Sequence, residues 1–186
     1  STGGTANAPV TLTSCEAGIS AFGEDAKSAP GMAAMLRLLF LGGASTVVAV
    51  RVEGEDYAAA FAALQTVEDV QVIVCDSGDL AAHQALRSSV EAASAARRER
   101  IAVVGMDGAD VSALTERAKA LNSERMVLVG PNILDSGGQV LPGMFAAAAV
   151  AAALAVTRDP AVPLNGTSLA GLGGVMGSLM SLISTT

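Results

Sequence analysis

The sequence contains few of the side chains on which binding and catalysis usually depend. Of its 186 residues, four are Phe, one is Tyr and none is Trp, so we expect no platform that stacks nucleic-acid bases or sugars. Positive charge is also scarce, because 11 Lys and Arg stand against 18 Asp and Glu, a formal net charge of −7. Since nucleic-acid affinity comes mainly from Lys and Arg on phosphates, we expect no nucleic-acid partner.

Cysteines and long apolar runs are scarce as well. Cys15 and Cys75 are too few for a disulfide framework and fit no zinc spacing, so we expect buried thiols in a reducing compartment. The longest apolar run, residues 144–156, is shorter than the ~20 residues that cross a bilayer, and we expect no membrane insertion. The chain starts at Ser1 without a signal-type segment and stops at Thr186 after an apolar run, so both ends are expected to be cuts in a longer protein.

Four β-branched runs alternate with stretches of helical periodicity. The runs are residues 45–52, 70–75, 101–104 and 126–129. The last two are continuously apolar, which is typical of strands covered on both faces. Between the runs, apolar residues recur with helical spacing, as at Tyr57, Phe61 and Leu64. This alternation predicts a parallel sheet with right-handed crossovers over residues 45–130.

The predicted fold class is therefore α/β, with a central, mostly parallel sheet flanked by helices. A length of 186 residues fits one domain, 1–186, with a parallel core at about 45–130. The N-terminal flank, 1–44, is predicted to add a strand and a helix. The C-terminal flank, 131–186, begins with a turn-rich loop and is then helical, with Pro142 opening an alanine-rich helix that the prolines at 160 and 163 end.

Acidic side chains follow the second and third predicted strands, at the sheet edge where α/β proteins bind ligands. Asp76 and Asp79 follow the second strand, and Asp107 and Asp110 follow the third. Four acids could hold Mg²⁺ or Ca²⁺ through their oxygens. However, Asp79 and Asp110 are placed as helix N-caps, and Asp-Ser-Gly is ordinary turn chemistry. We therefore predict no metal site here.

Three other features of the sequence are candidate functional sites. The glycine run 171–177 nearly matches the dinucleotide-binding pattern, but Met176 stands at the third glycine and the run follows a turn, so we expect flexible or close-packed backbone there. His83, the only histidine, borders the apolar face of a helix, and residues 97–100 are a basic cluster that closes the same helix. We expect this cluster to be a solvated helix end or a partner-facing patch. We predict no catalytic, cofactor-binding or metal-ligating residue, no cofactor, and no enzyme activity.

Several soft motifs follow one another in a fixed order along nearly the whole chain. Residues 14–16 and a Phe22-Gly23 turn lead to a helix, a glycine-rich step at 42–45 and a strand that ends in Val50-Arg51-Val52. The later pieces are residues 57–64, 68–76, 98–105, 141–153 and 159–165. In this order and spacing they resemble the contractile tail sheath proteins of phages and prophage-derived particles.

The resemblance implies a structural protein of a virion tail, assembled in the bacterial host cytoplasm. Sheath subunits form stacked rings around the tail tube and contract to drive the tube through a cell envelope. The implied partners are copies of the chain itself in a helical homo-oligomer, the tail tube protein, and the baseplate and tail terminator proteins. Known sheath proteins exchange extended arms between neighbours. This sequence stops before the portion that would carry the C-terminal arm domain, so it corresponds to a core fragment.

A second interpretation stays open at this point. The chain could be a small-molecule- or metal-binding α/β domain that uses Asp76, Asp79 and Asp107 at the sheet edge, which would require a pocket with polar groups and shifted pKa values. The lack of any assembled site in the sequence favours a scaffold. On that interpretation, the apolar excess, a mean hydropathy of +0.50, is expected to be buried between copies.

Overall fold

The computed structural model describes residues 3–26, 30–108, 110–135, 137–157, 164, 167–175 and 183–184. Within them lie six helices and nine strands in three sheets. The strands are β1 (Pro9–Leu12), β2 (Val47–Val50), β3 (Val72–Val74), β4 (Ile101–Gly105), β5 (Met126–Val129), β6 (Ile133–Asp135), β7 (Val140–Leu141), β8 (Leu172–Val175) and β9 (Ile183–Ser184). The helices are α1 (Cys15–Phe22), α2 (Met32–Leu41), α3 (Tyr57–Leu64), α4 (Leu80–Ala95), α5 (Val111–Leu121) and α6 (Gly143–Val156).

The central sheet has the strand order β3-β4-β5-β9. β3, β4 and β5 are parallel, whereas β9 pairs antiparallel with β5. Successive side chains of β4 point to opposite faces, as strand geometry requires: Ala102 and Val104 enter one core and Val103 enters the other. All three are fully buried. The prediction of parallel strands covered on both faces is confirmed for these strands.

Helices cover the two faces of this sheet differently. On one face α3, α4 and α5 contribute Phe61, Leu86 and Leu114 to a core shared with β3, β4 and β5. On the other face α6 crosses all three strands, and α2 packs on the far side of α6. The order of layers is therefore α3–α5, sheet, α6, α2. No helix in the described part of the chain is long and apolar enough to cross a bilayer.

The strand expected at residues 45–52 forms as β2, but it lies outside the parallel sheet. It pairs antiparallel with β1, with Pro9 opposite Val50 and Leu12 opposite Val47. Helices α1 and α2 cover this ribbon through a third core that contains Leu12, Phe22, Leu36 and Ala49. A β-branched run therefore predicted a strand here without identifying its neighbour.

The C-terminal flank holds more strand than expected. Residues 133–135 were predicted as loop and form β6, which pairs antiparallel with both β7 and β8 in a three-stranded sheet. Gly173 and Gly174 fall inside β8, and glycine is depleted in strands, so this strand was missed. Helix α6 was predicted and starts after Pro142, its N-cap residue. The prolines at 160 and 163 lie outside the described residues.

The alanine-rich helix α6 is buried inside the subunit. Every residue from Phe145 to Ala152 is buried, because the sheet covers one side and α2 covers the other. Alanine side chains are small enough to let both neighbours approach closely. The expectation that the apolar excess is buried between copies is therefore wrong for residues 145–152 of the longest apolar run.

A close contact between two stretches of backbone fixes where α6 crosses the sheet. A Cβ atom on Gly105 would lie closer than 3.0 Å to the Gly143 carbonyl oxygen, and one on Gly143 would lie equally close to the Met106 carbonyl oxygen. Real Cβ atoms do not tolerate such distances, so both positions require glycine. Beside this contact, the Gly143 amide donates to Asp107 Oδ1 at 3.0 Å, which satisfies one of the free amides at the start of α6.

This contact predicts that Gly105→Ala is severely destabilising. The added methyl meets backbone that no rotamer change can move, so we expect a loss of about 3 kcal/mol in the free energy of unfolding. Gly78→Ala is the matched control, since its Cβ would meet only the Gly105 carbonyl oxygen at 3.9 Å. We expect it to lose no more than about 0.5 kcal/mol. Urea unfolding followed by circular dichroism measures both, and equal midpoints for the two variants would contradict the proposed constraint.

Candidate functional site

The loops that follow β3, β4 and β5 lie at the carboxyl edge of the parallel sheet, where an open α/β sheet binds ligands. Hydrogen bonds from side chains to backbone connect these loops. Arg117 Nη1, from α5, donates to the Gly78 carbonyl at 2.8 Å. The Gly108 amide donates to Asn132 Oδ1 at 3.1 Å. The polar groups of this edge are therefore used to hold loops together.

The four acids at this edge face four different surroundings. Asp76 Oδ1 accepts from the Tyr57 hydroxyl at 3.1 Å, and Asp107 accepts from the amide at the start of α6. Asp110 is the N-cap of α5 and accepts from Ser112 at 2.9 Å, while Asp79 is the N-cap residue of α4. The N-cap positions predicted for Asp79 and Asp110 are confirmed, but only Asp110 caps its helix with a side-chain hydrogen bond. In the described part of the chain, no three His, Cys, Asp or Glu side chains come together.

Two groups near Asp76 are held protonated. Burial, with the neighbouring carboxylate of Asp76, raises the pKa of the Tyr57 hydroxyl far above its usual range. Burial raises the pKa of the Cys75 thiol to about 12. Because the thiolate is the reactive form, Cys75 is an inert, buried thiol at neutral pH, as expected. Cys15 is half-buried instead.

His83 lies deeper than its position at the border of an apolar helix face indicated. It is fully buried, with Nε2 2.8 Å from the Ser77 carbonyl oxygen and Nδ1 3.1 Å from Arg117 Nη1. Since a guanidinium only donates, Nδ1 is the acceptor and the Nε2–H group donates to Ser77. Burial lowers the pKa of His83, and the positive charge of Arg117 lowers it further. The neutral ring connects α4, α5 and the loop after β3.

Two arginines of the basic cluster at residues 97–100 bind the C-terminal end of α3, although the cluster follows α4 in the sequence. Arg98 donates to the carbonyl of Gln65, and Arg100 donates to the carbonyls of Leu64, at 3.1 Å, and Val67. These carbonyls are at and beyond the C-terminal end of α3, where cations are favoured. Arg100 is only 1% exposed. The expectation of a solvated end of α4 or a partner-facing patch is therefore wrong for Arg100, while Arg98 is half-buried.

The first part of the glycine run 171–177 forms a strand. Residues 172–175 form β8 in the antiparallel sheet, and Met176 lies outside the described residues. Gly171 has a positive φ of 82°, and a Cβ there would lie 2.7 Å from Leu38 Cδ2. The interpretation as close-packed backbone, and not a dinucleotide loop, fits this placement.

Two cavities lie along one edge of the parallel sheet. A cleft of about 670 Å³ separates β2 from β3 and is lined mainly by apolar residues of these strands, α2, α3 and α6. At one mouth of the cleft, a pocket of about 340 Å³ is lined by Met32, Arg51, Val52, Gly54, Tyr57 and Asp76. Neither of these two cavities includes Asp79 or Asp107, so neither brings together the acids considered for a metal or ligand site.

Comparison with known proteins identifies similar folds. No family model matches the sequence, and no curated protein sequence matches it. The helical sheath of the anti-feeding prophage in its contracted state matches with a TM-score of 0.53 and 16% identity, over 82% of this chain and 43% of that chain. The sheath tail protein of Desulfitobacterium hafniense matches with a TM-score of 0.44 and 20% identity, over 57% of this chain and 23% of that chain.

The match to the anti-feeding prophage sheath shows that this chain has the fold of a contractile sheath subunit. The resemblance inferred from motif order is confirmed at the level of the fold. The chain spans less than half the length of either solved chain that it matches.

The neutral, buried His83 predicts a pH dependence of stability. Because its folded pKa is lowered, its contribution is fully present above the unfolded value of ~6.5 and is lost as the pH falls below it. The free energy of unfolding should decrease from pH 7 to pH 5, by at most about 1.4 kcal/mol per pH unit. His83 is the only histidine, so H83Q should remove this slope. If the free energy of unfolding changed with pH equally in the unsubstituted protein and in H83Q, His83 would not be the source of the pH dependence.

Because Arg100 is buried and Arg97 is exposed, we expect substitutions at these two positions of the basic cluster to change the free energy of unfolding by different amounts. R100A leaves buried carbonyls at the end of α3 without their charged donor, and we expect a loss of about 3 kcal/mol in the free energy of unfolding. R97A removes an exposed arginine and should change the free energy of unfolding by no more than about 0.5 kcal/mol. Urea unfolding of both variants is the measurement. A stable R100A would show that the guanidinium is dispensable for the end of α3.

Proposed function

We propose that this chain is the core of a contractile tail sheath subunit, a structural protein that acts by assembling with copies of itself. The observation that carries the proposal is the match to the anti-feeding prophage sheath over 82% of this chain. The order of motifs along the sequence supports the same conclusion independently of the coordinates.

In the proposed assembly, the complete protein forms stacked rings around a tail tube and contracts to drive the tube through a cell envelope. Its partners are other sheath subunits, the tail tube protein, and the baseplate and tail terminator proteins at the two ends. The particle is a phage tail or a related prophage device that is built in the bacterial host cytoplasm. In this proposal, residues 1–186 act as one unit around the central sheet.

The way the reactive side chains are used supports a structural role. His83 is neutral and fully buried between Ser77 and Arg117, and the Cys75 thiol is held protonated by burial. Asp107 accepts from the amide that begins α6. His83 and Asp107 each stabilise a junction between elements, and the Cys75 thiol is buried. We do not propose the alternative small-molecule or metal site, because Asp76, Asp79 and Asp107 have separate surroundings.

Assembly is the property that tests this proposal. The complete gene product that contains this sequence should form tubes or rings in negative-stain electron microscopy, while the 186-residue chain alone, without the proposed arm-bearing portion, should not. A complete protein that remains a monodisperse monomer at every salt concentration would contradict the proposal. A thermal-shift screen with Mg²⁺, Ca²⁺ and nucleotides tests the alternative, since a ligand that binds the native state raises the melting temperature. We expect no shift.

A further inference from the structure

Two strand edges without partners face each other across the cleft. β2 pairs with β1 on one side and β3 pairs with β4 on one side, and in the described part of the chain neither has a strand at its other edge. Both strands line the cleft of about 670 Å³ along their whole lengths. Facing rows of unpaired amides and carbonyls can hydrogen-bond with each other if the strands approach.

The chain connection places β2 where another parallel strand belongs. β3-α4-β4 and β4-α5-β5 are strand–helix–strand units whose helices lie on the same face of the sheet. β2-α3-β3 is built in the same way, and Phe61 and Leu64 of α3 enter the same core as α4 and α5. Such crossovers are almost always right-handed, so one more unit on this face puts β2 beside β3.

The side chains of β2 already alternate as they would in the parallel sheet. Val48 and Val50 pack against the core that contains Ile73 and Cys75, whereas Ala49 enters the core on the α2 side. A shift of one residue would exchange the two faces, so this alternation restricts the register. One of the alignments that keep the faces places Val48 beside Ile73 and Val50 beside Cys75.

The same alignment brings opposite charges together. With Val50 beside Cys75, the next residues are Arg51 and Asp76, and both line the pocket of about 340 Å³. They follow the carboxyl ends of β2 and β3, so the two strands run in the same direction along the cleft. Arg51 Nε is buried and has no hydrogen-bond partner among the described residues, a costly state for a charged group.

We propose that this structure is the open state of a hinged sheet, in which β2 closes onto the edge of β3, parallel to it and with Arg51 paired to Asp76. Closure produces one continuous sheet with the strand order β1-β2-β3-β4-β5-β9. Gly43 and Gly54, which flank β2, have positive φ values of 99° and 59° and can absorb the change of backbone direction. This inference rests on the fold alone and does not depend on the sheath function.

A disulfide trap tests the closed state and its register. In a Cys15→Ser background, V50C places a thiol beside native Cys75 if the register is correct. Neighbouring strands are ~4.8 Å apart, within the ~4.4–6.8 Å between Cα atoms that a disulfide spans.

Diamide oxidises the pair by accepting two electrons and two protons. Because burial raises the pKa of Cys75 to about 12, the reaction needs long incubation. Thiol alkylation and intact mass measure the product.

The matched control is A49C in the same background. It lies on the same strand but on the opposite face, so its thiol points away from Cys75. The proposal expects complete loss of both free thiols in V50C and none in A49C. Bridges in both variants, or in A49C alone, would overturn the register, and bridges in neither would overturn the closure.

Amide hydrogen exchange on the unsubstituted chain gives an answer that does not depend on any variant folding. The Ile101 amide donates to the Gln71 carbonyl, so in a parallel pair the amides of Val72 and Val74 point away from β4 and towards β2. If β2 closes onto β3, these two amides should exchange on the order of 100-fold more slowly than unprotected amides. Exchange at the unprotected rate would overturn the proposal whatever the thiol result, because the strands would then meet without pairing.

Discussion

The backbone contact between Gly105 and Gly143 determines how the rest of the molecule is arranged. With no Cβ on either side, the start of α6 lies directly on the end of β4, and Asp107 fixes it there through the Gly143 amide. From that point α6 crosses β3, β4 and β5 and separates them from α2. A helix enclosed on two sides needs small side chains along most of its length, which explains the alanine run that follows Phe145 and contributes to the high mean hydropathy.

Charged side chains in this protein stabilise junctions that apolar packing leaves incomplete. Arg100 supplies donors to carbonyls at the end of α3, and Arg117 binds both His83 and the Gly78 carbonyl. Each interaction satisfies a buried polar group that would otherwise cost free energy. Arg100, Arg117 and His83 are thereby used to hold helices and loops together.

Sequence patterns predicted the elements of residues 45–130 and helix α6 well, but they missed α1 and the strands β6 to β9 and did not identify the partner of β2. Helical spacing and continuous apolar runs were sufficient for α3, α4, α5 and the strands β3, β4 and β5, because burial on both faces leaves a direct signature. The β-branched run at β2 predicted a strand but not its pairing with β1, which long-range contacts decide. The bond between His83 and Arg117 joins residues 34 positions apart, and no local spacing encodes it. Glycines hid β8, since they contribute no side chain to a periodic pattern.

The open cleft connects the fold to assembly. An unpaired strand edge is a liability in a monomer, because it offers a template to any other strand. In a protein that assembles with copies of itself, as proposed for this chain, the same edge is a place where a strand of a neighbouring copy can pair. Closure of β2 onto β3 would remove two such edges at once and satisfy Arg51 with Asp76, while opening would expose both. Both states keep the core between the sheet and α3–α5, so the difference between them lies in one row of hydrogen bonds, one ion pair and the apolar surface that lines the cleft.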